Sequence, residues 1–350
     1  MVDWDLAVRI GSRIAGDGPT VTRDEADEAV AELRADADRS TGLVREFTGL
    51  AAAEPSAERP AAPVLVVDRA GWVQANADAF ATILGPIVDK ISEKKPPSGL
   101  TAAVGSKVTG AEVGGLLGFL GGKILGQFDP FHDPSGRLLL VAPNIVHVER
   151  EIEADPTDFR LWVCLHEETH RVQFTAVPWM RDHLFAEISK LGETMEPSGL
   201  LDDGLARILD ALKGARGAAG SEGGASLLDA ISTPEQKELI DRMTGVMSLL
   251  EGHADVVMDG VGPTVIPSVE KIRGKFNERR KGVGVLDKVL RRLLGLDMKM
   301  AQYRDGAAFV RAVVDQAGME QFNAVWESAE NLPSKVEIKD PKAWMTRVLA

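Results

Sequence analysis

The apolar positions of this chain fall mostly at helical spacing. Residues 4–50 read as helices: Thr22 precedes Glu25 by three, a capping box, and Ala26, Val30, Leu33 and Ala37 follow along one face. The Pro/Ala-rich residues 51–63 read as a linker or exposed loop. The apolar run Val64-Leu65-Val66-Val67 predicts a short strand, and Asp68-Arg69-Ala70-Gly71-Trp72 turns the chain into a helix through Asn76, Phe80 and Leu84. Residues 138–143 form the clearest strand. Pro143 assigns it to a strand end or a sheet edge, because proline cannot donate to a ladder. Asp155 and Pro156 then open a helix as its cap and first residue, Val177-Pro178 limits it, and another helix spans residues 179–191. Residues 213–226 are Gly, Ala and Ser without an apolar period and read as a mobile surface loop. Thr233 and Gln236 cap a further helix, with Leu239, Met243, Met247, Leu250, Ala254 and Met258 on its apolar face.

Residues 104–127 break the pattern. Gly110, Gly114, Gly118, Gly122 and Gly126 recur every four residues, a stripe that lets another helix approach closely. A membrane span needs about 20 apolar residues. Here Lys107, Glu112 and Lys123 interrupt the stretch, so it is expected to be a glycine-faced helix buried in a soluble protein. These elements together predict a mainly helical α+β fold with a small β-sheet. They are divided into an N-terminal helical segment, residues 1–50, and a domain over residues 64–350 with a helical C-terminal part.

Composition narrows the class. A chain of 350 residues with 44% hydrophobic and 27% charged residues is that of a globular protein. A net charge of −13 opposes general binding to nucleic acid or anionic membrane. Cys164 is the only cysteine, so no intrachain disulfide exists, and its apolar neighbourhood suits a core thiol. No basic stretch followed by an apolar run opens the sequence, and a cytoplasmic location is expected.

The candidate chemistry lies at His166-Glu167-Glu168-Thr169-His170, an H-E-x-x-H pattern on the helix opened by Asp155. Residues four apart share a helix face, so two of the six histidines can present their nitrogens to one metal ion. Glu167 lies about 100° further round the helix, badly placed to ligate but able to reach a metal-bound water as general base. On the helix after Thr233, Glu251 falls among apolar residues, where a carboxylate without a partner would be costly. Glu251 is the expected third ligand of a Zn2+ ion, and Asp255, four residues on, could accept a hydrogen bond from a ligating imidazole. His253 competes with Glu251, since a straight helix directs the two to nearly opposite sides.

H-E-x-x-H followed by Glu251-Gly252-His253-Ala254-Asp255 resembles the gluzincin group of zinc metallopeptidases. More closely, the chain is similar to an uncharacterised bacterial family of zinc-dependent metalloproteases or hydrolases, some described as coenzyme F420 biosynthesis-associated. The similar stretches are residues 66–76, 166–184, 251–260, 298–303 and 325–333. The resemblance implies a zincin-like core with a small sheet beside the H-E-x-x-H helix. It also implies His166, His170 and Glu251 as zinc ligands, Glu167 as base, and a peptide or other amide substrate.

Two further features bear on function. Residues 271–304 carry eleven Lys and Arg against three acids. No nucleic-acid motif accompanies them, so they read as a solvated face, and no nucleic-acid partner is expected. Tyr303, the only tyrosine, is a candidate for stabilising an oxyanion, as are His147 and His183. The leading expectation is therefore a zinc hydrolase, most simply a metallopeptidase, with an edge strand at 138–143 able to hold an extended peptide. The alternative is a non-catalytic zinc protein that binds a partner through its basic segment.

Overall fold

The computed structural model describes residues 2–52, 60–94, 99–133, 135–194, 233–281 and 296–350. The glycine-rich stretch at 213–226 lies outside them. The chain divides into two units, residues 1–181 with 254–278 and residues 182–253 with 279–350.

In the first unit, the Asp3 carboxylate accepts from Leu6 N at 2.9 Å and starts α1 (Trp4–Ala15). The capping box read from Thr22 and Glu25 starts α2 (Arg23–Thr48). Strand β1 (Val64–Val67) leads into α3 (Arg69–Lys94), and α4 (Gly99–Gly121) is the glycine-striped helix. Its stripe lies on α1. A Cβ on Gly110 would sit 2.5 Å from the Asp3 carbonyl oxygen, and one on Gly114 would sit 2.6 Å from that of Ala7. The two backbones touch because no side chain stands between them. Among the described residues no helix is long and apolar enough to cross a membrane.

The stripe is shorter as a helix than its period suggested. Helix α4 ends at Gly121, and Gly126 opens a strand, β2 (Gly126–Asp129). Glycine is a poor helix former, so paired glycines at 121 and 122 release the chain into sheet pairing at little cost.

The sheet corrects a second expectation. Strand β3 (Arg137–Val141) is buried along its whole length and lies in the centre, parallel to β1 and antiparallel to β2. Residues 138–143 are therefore no edge strand. Pro143 sits in the first turn of α5 (Ala142–Glu151), where a missing N–H costs no hydrogen bond. Among the described residues the edges are β1 and β2. Strand β2 is tied to α3: Trp72 Nε1 donates to Gln127 Oε1 at 2.9 Å, and Gln127 Nε2 donates to Asn76 Oδ1 at 3.0 Å. It is also tied to β3, where Arg137 Nε donates to Asp129 Oδ2 at 3.1 Å.

Helix α6 (Pro156–Ala176) carries the histidine motif and begins as read from the sequence, with Asp155 accepting from Asp158 N at 3.1 Å and Pro156 in the first turn. Arg160 fixes it to its neighbours. The guanidinium donates to both Glu149 oxygens of α5, at 3.0 and 2.7 Å, and to Glu32 of α2 at 2.5 Å. Removing one member of such a buried group costs about 3–5 kcal/mol, because the remaining charge is left uncompensated. Helix α7 (Pro178–Thr194) follows directly. The remaining helices of this unit's chain are the later part of α8 (Pro234–Val265) and α9 (Val269–Lys281), whose Phe276 packs edge-on against Trp162.

In the second unit, Arg242 of α8 donates to Glu187 of α7 at 2.9 Å. Gly252 of α8 meets Gly306 of α10 (Leu296–Ala317) so closely that neither could carry a Cβ without a shift. The chain then forms α11 (Met319–Phe322), two 3-10 turns and α12 (Pro341–Val348). Trp344 of α12 is fully buried, and its indole donates to the Asn331 carbonyl at 2.7 Å.

Candidate metal centre

The i, i+4 spacing does what the helix period requires. His166 and His170 stand one turn apart on α6, their rings 4.9 Å between centroids and at 88° to each other. Their Nε2 atoms face each other at 3.3 Å. His170 Nδ1, on the far side of its ring, lies 3.0 Å from Gln173 Oε1. Glu251, on α8, completes a group in which each residue offers one ligand atom and all three atoms lie within 4.8 Å of one another. All three residues are half-buried.

Glu167 points elsewhere on the helix and is 8% exposed. Gly126 at the start of β2 lies against its side chain. Glu168, fully buried, faces α2. Arg171 Nε donates to its Oε2 at 2.8 Å, Thr41 Oγ1 lies 3.1 Å from the same oxygen, and the Arg171 guanidinium also reaches Thr41 and the Ala62 carbonyl. Burial pushes the Glu168 carboxyl up, and Arg171 pulls it back. The Arg171–Glu168 ion pair thus anchors the motif on its α2 side. Cys164 is a core thiol, as its neighbourhood implied: Sγ lies 3.6 Å from the Leu33 carbonyl, and burial, then the Asp36 and Glu168 carboxylates, raises its pKa well above the ordinary value.

The other sequence candidates fall in different places. His253 is fully buried in the second unit, stacked on Phe322 at 5.5 Å and edge-on to Trp326 at 5.3 Å. It is not in the group that could share one ion. Asp255 Oδ1 accepts from Arg273 Nη2 at 2.7 Å, and Arg273 also pairs with Asp259. Tyr303 belongs to α10, and its side chain is outside the described residues. His147 is exposed beside Glu151 on α5, at 3.8 Å, and His183 sits on α7. Two contributors escaped the sequence reading. Gln173 follows His170 by three, a spacing that places it over the same face, and Gly126 had been absorbed into the glycine stripe.

The donor set can be tested against zinc. Two nitrogens at about 2.0–2.1 Å from one tetrahedral ion stand about 3.3–3.4 Å apart. The Nε2 pair stands at 3.3 Å. Two imidazoles and one carboxylate are also the ligand types of hydrolytic zinc sites, which keep a fourth position open. The residues present fit the ion.

Comparisons with known proteins point the same way. Residues 2–345 match the family of zincin-like metallopeptidases. No curated protein matches. Among solved structures, a candidate hydrolase with a novel fold from Chloroflexus aurantiacus is similar at 31% identity and a TM-score of 0.69, over 99% of this chain and 98% of that one. Zinc is the cofactor on which such proteins depend, and His166, His170 and Glu251 form the triad suited to it. The near-complete match and the site geometry agree: the chain belongs to the zincin-like metallopeptidase family.

Proposed function

We propose that this protein is a zinc-dependent peptide hydrolase in which His166, His170 and Glu251 hold the ion and Glu167 is the general base. The observation that carries the reading is the Nε2 pair at 3.3 Å, with a carboxylate from another helix beside it and a second carboxylate one residue along the motif. Zinc bound there would polarise a scissile carbonyl and lower the pKa of a coordinated water to about 7. Glu167 would take the water's proton and pass it to the leaving amine. Near-complete enclosure of Glu167 keeps bulk water from competing for that proton.

The substrate would lie along β2. Among the described residues that strand is a sheet edge, and its first residue touches Glu167. An extended peptide could therefore add main-chain hydrogen bonds to β2 while its scissile bond faces the base. Strand β2 takes over the role that the sequence suggested for residues 138–143. The binding-module alternative draws less support. Arg273 and Lys275 of the basic segment are engaged by Asp255, Asp259 and Glu153, while residues 282–295 lie outside the described residues. A single buried cysteine with no disulfide to keep suits a reducing, cytoplasmic setting.

The test is direct. Protein purified without added metal should contain one zinc per chain by elemental analysis, and the zinc-loaded protein should cut members of a broad peptide library. Zinc-loaded protein that cuts none would overturn the peptidase reading and favour a binding module.

A further inference from the structure

We infer that Gln173 is the positioning residue for His170: it holds the imidazole in the tautomer that carries its proton on Nδ1. The inference rests on the zinc reading of the site and goes beyond its ligand set. Gln173 is fully buried, and its Oε1 lies 3.0 Å from His170 Nδ1, on the side of the ring away from His166. A neutral imidazole has one N–H and one bare nitrogen. An amide oxygen at Nδ1 accepts only if that nitrogen bears the proton, which leaves Nε2, the nitrogen that faces His166, bare. The same hydrogen bond fixes the ring's rotation about its Cβ–Cγ bond. A flipped ring would present a carbon to Gln173 and break that hydrogen bond.

The choice of residue has a physical basis. A glutamine at i+3 on the same helix reaches back over the turn to the imidazole without any other element having to move. Asp255, which the sequence suggested for this duty, is bound by Arg273.

Three variants separate orientation from shape. Gln173→Met keeps the volume and removes the acceptor, Gln173→Glu keeps an acceptor, and Gln173→Ala removes both. Zinc affinity is read by competition with a chromophoric chelator, coordination by the visible spectrum of the Co2+-substituted protein, and folding by thermal unfolding of the metal-free protein. Gln173→Met and Gln173→Ala should weaken zinc binding about 10- to 100-fold. Gln173→Glu should bind as wild type does, with an unchanged Co2+ spectrum. Wild-type affinity in Gln173→Met overturns the inference. So does a loss in Gln173→Glu as large as that in Gln173→Met, which would make the side chain a packing element. Should Gln173→Met fail to fold, the affinity and spectrum of Gln173→Glu decide alone. A wild-type protein that takes up no zinc removes the zinc reading itself, and this inference with it, before any variant is compared.

Discussion

Gly126 on β2 and Glu167 on α6 approach so closely that a Cβ on Gly126 would lie 2.5 Å from Glu167 Cγ and 2.9 Å from its Oε1. The only thing glycine offers here is the absence of a side chain. That absence lets β2 and the Glu167 carboxylate occupy adjoining space, which links the strand proposed to hold substrate with the group proposed to act on it.

Gly126→Ala should therefore displace the Glu167 side chain, the softer of the two partners, while leaving the β2 ladder intact. Zinc content and melting temperature should stay near wild type. Hydrolysis of a library-selected peptide should fall about 100-fold, the usual penalty for moving a catalytic group by about 1 Å. Full activity in this variant would mean that the carboxylate's position does not matter to the reaction.

Glu167→Gln leaves the shape of the motif unchanged and removes the base. The zinc should remain, and the rate should drop by about 10²- to 10⁴-fold. A variant that cuts as fast as wild type would show that Glu167 is not the base, even if the protein is an enzyme.

The third ligand can be settled by metal content. His166→Ala and Glu251→Ala should each lose zinc on dialysis. His253→Phe, which keeps a ring against Phe322 and Trp326, should retain it. Retention in Glu251→Ala together with loss in His253→Phe would reverse the assignment.

Asp36 supplies a pH dependence. Its carboxyl on α2 is buried, one oxygen has no hydrogen-bond partner among the described residues, and burial followed by the Glu32 charge raises its pKa from 3.8 to about 6. The folded state then binds this proton more tightly than the unfolded chain. Stability from this group is present at low pH and is lost as pH rises between about 4 and about 6. Asp36→Asn should accordingly stabilise the protein at neutral pH by about 1–3 kcal/mol, with little gain below about pH 4. Melting curves of variant and wild type across that range check it; parallel curves at every pH would mean that the carboxylate is better solvated than its burial implies.

Much of the fold was legible because it follows from local rules. Thr22 with Glu25 and Asp155 with Pro156 start helices wherever they are placed, since the orphan N–H groups of a first turn are satisfied by near neighbours. The glycine stripe likewise announced a close helix contact, though not where the helix would stop. Strand order was hidden, because Pro143 suits a strand end or a sheet edge equally well by local rules, and only pairing on both sides of β3 decides between them.

The same division holds at the metal centre. His166 and His170 share a face by the period of the helix, so the sequence by itself determined that pair, and with it the placing of Glu167 off the ligand face. What lies 18 to 127 residues away along the chain depends on which elements pack together, and the tertiary structure alone decided it: Arg273 on Asp255, Thr41 on Glu168, and Gly126 against Glu167. Spacing along one helix is set by backbone hydrogen bonds that every residue but proline can donate. Contacts between elements are set by the burial of whole faces, and no short stretch of sequence records its partner.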